Sequence, residues 1–165
     1  MVKRLSSIFI VAAAFLFCSS CGTIGYMYKP LAAEGCSADF SVNKRDGVLY
    51  VYVRISSDRH QFVESPTMLL RNFDQDTASF MGTRLDPQSS TYGIVSGSVV
   101  IPVTSHYATA EFAIPEEKIP FFKSGIQKIR LTMVPMNHER EFGKDEIGQP
   151  LYKKLLQENK KSEQF

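Results

Sequence analysis

The sequence predicts an all-β fold, and three observations carry that prediction. Apolar and polar residues alternate with a period of two in segment after segment between residues 38 and 134. Turn-forming residues separate these segments at short spacing. Helix signals gather in two places, residues 115–125 and 150–159. Together they point to an antiparallel immunoglobulin-like β-sandwich of about seven strands, with one short crossing helix and a short C-terminal helix. The chain contains no Trp, so the Cys…Trp…Cys core of antibody domains is absent. A small open β-barrel is the alternative. No internal repeat is visible.

The first strand follows from Ala38, Phe40 and Val42 alternating with Asp39, Ser41 and Asn43. Asp46-Gly47 then supports a hairpin turn. In residues 48–55, Leu49, Val51, Val53 and Ile55 share one face and Tyr50, Tyr52 and Arg54 the other, the pattern of a half-buried antiparallel strand. Residues 56–65 read as a loop and 66–73 as a strand. Asp74-Gln75-Asp76 turns the chain into a strand over 78–85. Residues 86–92 (DPQSSTY) read as a loop by composition. A single strand is expected over 94–103, with Val95, Val99, Ile101 and Val103 on one face. Gly97 inside it suggests a bulge, and Pro102 an edge or a strand end. Residues 107–114 alternate again. In 115–125, early Glu116 and Glu117, later Lys123 and a following Gly125 mark a helix. Pro120 limits it to one or two turns that seat Phe121 or Phe122 on the core. Ile129, Leu131 and Met133 face inward on a last clear strand. The charged segment 136–148 reads as a loop or hairpin arm, and Pro150 stands near the first position of the final helix.

The N-terminus has a different character. Lys3 and Arg4 precede an unbroken apolar run of ten residues, 8–17 (IFIVAAAFLF), followed by Cys18-Ser19-Ser20-Cys21-Gly22. That is the order of a secretory signal. The run is too short for a permanent membrane span, which needs about 20 apolar residues. The segment Ser19-Ser20-Cys21-Gly22 resembles the processing site of bacterial lipoproteins. Cys18 stands where that site usually carries Leu. The resemblance implies cleavage before Cys21 and acylation of its thiol, with two or three acyl chains (palmitate among them). One such chain binds membranes marginally, and two or more hold firmly. The expected organisation is a signal over 1–20, a lipidated Cys21 and flexible tether over 21–37, a β-sandwich over 38–159 and a frayed tail over 160–165. A tether of that length averages about 20 Å end to end and reaches at most about 55 Å. No acidic run follows Cys21, which favours the periplasmic face of the outer membrane over the cell surface. Leu69-Leu70-Arg71-Asn72-Phe73-Asp74, the run from Gly125 to Leu131, Asp145-Glu146-Ile147-Gly148 and Leu151-Tyr152-Lys153 resemble small uncharacterised envelope lipoproteins of Gram-negative bacteria. That resemblance implies no activity and no cofactor.

Of 19 basic and 17 acidic residues, Lys3 and Arg4 lie in the signal, so the mature chain balances 17 against 17. A neutral domain lacks the basic footprint that nucleic acid requires. Cys36 is the one cysteine left after processing and acylation, so no internal disulfide is expected. His60, His106 and His138 are far apart in sequence and match no zinc-binding spacing. No Gly-rich phosphate loop and no Gly-x-Ser-x-Gly elbow occurs, so neither catalysis, metal nor cofactor is expected. A hydrolase would need two or three of His60, His106, His138, Cys36 and the acids in one pocket.

The expected role is a membrane-anchored interaction or assembly module of the bacterial cell envelope, partnered with another envelope protein. Tyr50, Tyr52 and Arg54 on one strand, with Lys128 and Arg130 on another, would form an aromatic-basic partner-binding stripe if the two strands are neighbours. A second candidate is the segment 136–154 as a docking arm. The alternative role is binding of a glycan or peptide, with Tyr50, Tyr52, Tyr92 and Tyr107 as stacking platforms.

Overall fold

The structure, a computed structural model, describes residues 23–28 and 36–161. Residues 1–20, Cys21 and most of the expected tether lie outside the described residues. The chain runs through β1 (Ile24–Tyr28), β2 (Cys36–Arg45), β3 (Val48–Ser56), β4 (Gln61–Phe62), β5 (Thr67–Asn72) and β6 (Thr77–Arg84). It continues through β7 (Gln88–Ser96), β8 (Val99–Ile114), a 3-10 helix (Glu116–Ser124), β9 (Ile126–Leu131), β10 (Met133–Val134), β11 (His138–Glu141) and α1 (Gly148–Lys161). The fold is therefore mostly antiparallel β with two helices. Among the described residues the strands are eleven rather than about seven.

Pairing runs β1-β2-β3-β8-β6-β5-β9-β11, with β7 joined to β8 beside that path and β4 paired with β10. One strand links the two halves. Residues 77–81 of β6 pair with β5, and residues 82–84 pair with β8. Gly82 sits at the change of partner. A Cβ there would lie 2.5 Å from the Glu111 carbonyl oxygen and 2.6 Å from the Phe112 ring, so only Gly lets β6 pass so close to β8. The two ends of the path also meet. The Tyr26 hydroxyl on β1 hydrogen-bonds His138 Nε2 on β11 at 2.9 Å, with the rings of Phe40 and Phe142 beside them.

The alternation read from sequence holds in β3, where Leu49, Val51, Val53 and Ile55 are buried, and in β8, where Ala110, Phe112 and Ile114 are. Asp46 and Gly47 both have positive φ, 51° and 79°, as a tight hairpin turn with right-handed strand twist requires. The 3-10 helix buries Ile119 and Phe122, and Phe122 stacks on Phe80. The amphipathic α1 lays Leu151 and Leu155 against the 3-10 helix and β2.

Asp145 organises this corner. Its carboxylate accepts the backbone N–H groups of Ile126, Gly148 and Gln149 at 2.9, 2.7 and 2.8 Å, which caps α1 and ties it to β9. Gly125 has φ 76° with Asp145 against it, and a Cβ on Gly148 would strike the Gly125 and Ile126 backbone at 2.4–2.6 Å. The phrases Gly125-Ile126 and Asp145-Glu146-Ile147-Gly148 are thus two sides of one structural lock.

Three boundaries differ from the sequence reading. The stretch 21–37 contains β1, which buries Tyr26 in the core, and the first residues of β2. Alternation over five residues interrupted by Gly25 is too weak to signal a strand. Gly25 is there because a Cβ would lie 2.5 Å from Asp39 Oδ1. Only Gly22 and Thr23 then separate Cys21 from Ile24. At the C-terminus α1 runs to Lys161, past the expected frayed boundary, and residues 162–165 lie outside the described residues. The third difference makes the candidate site.

Candidate docking ribbon and the cleft at its base

The expected single strand over 94–103 is folded back on itself. Gly97, with φ 63°, and Ser98 form a two-residue turn between Ser96 and Val99. Residues 88–96 pair with 107–99 as a two-stranded ribbon, and the expected loop 86–92 supplies most of its first strand. A Gly-Ser pair flanked by apolar residues is a hairpin signal, and reading it as a bulge hid the ribbon. The fold-back also changes the faces. Val95 pairs with Val100 on one face, whereas Val99, Ile101 and Val103 share the other with Tyr92 and Ile94.

The ribbon stands clear of the body. β3 ends at Ser56 opposite Tyr107, and β6 ends at Arg84 opposite Ala110, so beyond them, among the described residues, β8 has β7 alone as its strand neighbour. All nine residues of β7 are exposed. Tyr92, Ile94, Val95, Val99, Val100 and Ile101 are each about half or more exposed, from 48% for Ile94 to 72% for Val95. At about 3.3 Å per residue the ribbon extends about 30 Å. Between Asp86 and Glu111 there is no Asp, Glu, Lys or Arg. Both faces of the ribbon thus expose apolar side chains with no charged residue among them, which makes the ribbon the candidate interaction surface of the chain.

At the ribbon's base lies an open cleft of about 290 Å³. His60, Arg84, Gln88, His106, Tyr107 and Thr109 are among its lining residues. Two of the three histidines thus come together. Ser57 Oγ lies 3.1 Å from His60 Nδ1, the spacing of a nucleophile and its base. The same oxygen accepts the backbone N–H groups of Arg59 and His60 at 3.2 and 3.0 Å, so it closes a local turn. Thr109 Oγ1, buried in the cleft wall, has no hydrogen-bond partner among the described residues. His138 is 4% exposed and bonded to Tyr26. Burial first, then the electrostatic influence of the neighbouring His60 and Arg140, lowers its pKa to about 4. Cys36 opens β2. Among the described residues no three His, Cys, Asp or Glu side chains group as metal ligands, and no helix is long and apolar enough to cross a membrane.

The aromatic-basic stripe does not assemble. β8, β6 and β5 lie between β3 and β9, so Tyr50, Tyr52 and Arg54 form one patch and Lys128 and Arg130 another. Facing periodicity says which residues share a face of a strand, and strand order is a tertiary property. In the first patch the Arg45 guanidinium lies 4.6 Å over the Tyr50 ring and pairs with Glu111 at 3.2 Å. Arg54 pairs with Asp39 at 3.3 Å and lies 4.9 Å over Tyr107. Burial, then the Glu111 carboxylate, raises the Tyr52 pKa. In the second patch Lys128 and Arg130 both pair with Glu139 of β11. Guanidinium groups thus cover one face each of Tyr50 and Tyr107, two of the expected stacking platforms. The segment 136–154 supplies β11 and the start of α1, with Phe142, Ile147 and Leu151 buried in the core rather than presented for docking.

No protein-family model matches the chain, and neither the curated proteins nor the solved structures contain a significant match.

Proposed function

We propose that the chain is a lipid-anchored interaction and assembly module of the bacterial cell envelope, working without catalysis. Its body is a sandwich-like carrier whose two layers are joined through β6, and its working part is the β7–β8 ribbon. The observation that carries this reading is the uncharged apolar surface exposed along a ribbon about 30 Å long. The lipoprotein-like segment at Cys21 supports attachment at the outer membrane, on its periplasmic face, and β1 starting at Ile24 leaves a short leash.

The test compares three chains at natural expression level: the natural chain, the ribbon variant Ile94→Ser with Val100→Ser, and Cys21→Ser. In detergent-solubilised membranes the natural chain is expected in an assembly larger than one chain. The ribbon variant is expected in the membrane fraction as a single chain, and Cys21→Ser outside that fraction. A natural chain that runs as a single chain overturns the assembly role. Membrane retention of Cys21→Ser overturns the anchor.

A second reading rests on Thr109 Oγ1, a buried oxygen without a partner in the wall of the cleft. An unsatisfied buried polar atom costs free energy that a bound polar ligand can return. A glycan or peptide fragment taken up there would shift the ring resonances of His60 and His106. Titration of the chain with envelope glycan fragments and short peptides, leaving both rings unmoved, removes this reading.

A further inference from the structure

In the body the two ends of the long strand path meet, whereas in the ribbon β7 has an open outer edge among the described residues. β1 and β11, the ends of the strand path, meet through Tyr26 and His138, and β11 is four residues long and carries Glu139, Arg140 and Glu141. Short, charged or closed edges are how sheet proteins avoid unwanted pairing. On the ribbon, the direction of each backbone group follows from one hydrogen bond. Ser57 N–H donates to the His106 carbonyl at 3.0 Å, so the polar groups of His106 face the β3 side. Alternation along the unbroken β7–β8 register puts those of Thr104, Pro102 and Val100 on that same edge. Pro102, which has no N–H, thus interrupts the exposed edge of β8. On β7 the outward groups are those of Ser89, Thr91, Gly93 and Val95, with no Pro and no charge among them. Among the described residues β7 pairs with β8 alone.

We infer that the outer edge of β7 is a strand-addition site for β7 of a second copy of this chain, giving a two-fold dimer. This rests on the reading of the ribbon as a docking element. Three features select the second copy. Two-fold pairing about Tyr92 sets small and apolar residues against one another, and between Asp86 and Glu111 the segment holds no charge that a second copy would have to match. Antiparallel pairing centred on Tyr92 sets Ser89 opposite the second copy's Val95 and Thr91 opposite its Gly93. All four outward residues are then used, in up to about eight backbone hydrogen bonds. Pro102 blocks the opposite edge, so ribbons cannot add head to tail, and the assembly closes at two. A lipid surface fits less well. Two bare strand edges in hydrocarbon would leave backbone groups unsatisfied at a cost of several kcal/mol each.

The register makes the test specific. The full chain, purified from membranes in detergent, is weighed by light scattering over a range of concentrations. The natural chain is expected as a dimer. Ser89→Lys with Val95→Lys sets lysine against lysine twice in the dimer, while inside the monomer it changes only the exposed pairs with His106 and Val100. It is expected to weaken dimerisation by about tenfold. Ser89→Glu with Val95→Lys sets opposite charges together and is expected to restore the dimer. Thr91→Pro removes an outward donor and is expected to give monomer. Unchanged circular dichroism and thermal unfolding show that each variant is folded. A monomeric natural chain, or a Lys/Lys variant as dimeric as the natural chain, overturns the inference. If the purified chain is monomeric while membranes hold a ribbon-dependent complex with a different protein, the second-copy inference falls and the assembly role stands. If neither complex exists, both fall.

Discussion

The two halves of β8 carry similar alternating sequences and meet opposite fates. Ala110, Phe112 and Ile114 are fully or almost fully buried, whereas Val99, Val100 and Ile101 are about half or more exposed. Hydrophobicity does not separate them, and neighbours do. Where β8 runs beside β3 and β6 it lies within a sheet that curls over a core. Past Ser56 and Arg84, among the described residues, it has β7 as its one strand neighbour and no second layer covers either face. An apolar residue is interior only if other elements reach it. One that nothing reaches is available for binding.

The sharpest break of this comparison is a pair of truncations on the one strand. Phe112→Ala is expected to cost about 4 kcal/mol, since it empties a packed site. Ile101→Ser in the ribbon is expected to change monomer stability by no more than about 0.5 kcal/mol. Urea unfolding of the two variants, with the dimer interface disrupted by the Lys/Lys change, measures both. A ribbon truncation as costly as the core one would mean that the ribbon is packed against the body.

The next effect belongs to the body's closure. His138 is held near pKa 4, below its ordinary 6.5, so the unfolded chain takes up a proton before the folded one does. Stability from this group is complete above about pH 6.5. It is lost as the pH falls toward 4, to a total of about 3 kcal/mol. Denaturation midpoints measured between pH 7 and pH 4 should fall accordingly, and in His138→Phe this part of the slope should vanish. The smallest effect is at the lock. Asp145→Ala leaves three backbone donors without their acceptor and is expected to cost about 2 kcal/mol, read as a lowered unfolding midpoint with the ribbon's pairing unchanged.

Much of the body was legible from sequence. The β3 alternation, the Asp46-Gly47 turn and the docking of Phe122 are local consequences of residue type, and each appears as expected. β1 was illegible because five residues with Gly at the second position carry little pattern, and Tyr26 is buried by Phe40, His138 and Phe142, which come from elsewhere in the chain. The ribbon was half legible. Pro102 marked an edge, and the Gly97-Ser98 turn was visible as a Gly inside a strand, but its two-residue geometry sent Val95 to the face opposite Val99. The partner-binding stripe failed for a related reason. Tyr52 and Arg130 each lie on the outer side of their own strand, and three strands intervene between them.

The sequence alone determined the β character, the hairpin at Asp46-Gly47, the helix positions, the balance of 17 basic against 17 acidic residues from position 21 onward and the basic-then-apolar run that precedes Cys21. These depend on neighbours in the chain, where period, turn chemistry and charge act over a few residues. Only the tertiary structure decided which strands lie side by side, that β6 serves two partners at Gly82, that β1 and β11 meet, and that half of β8 has nothing to cover it. Those outcomes depend on contacts between residues up to 112 positions apart, as for Tyr26 and His138, and no local pattern encodes such a distance.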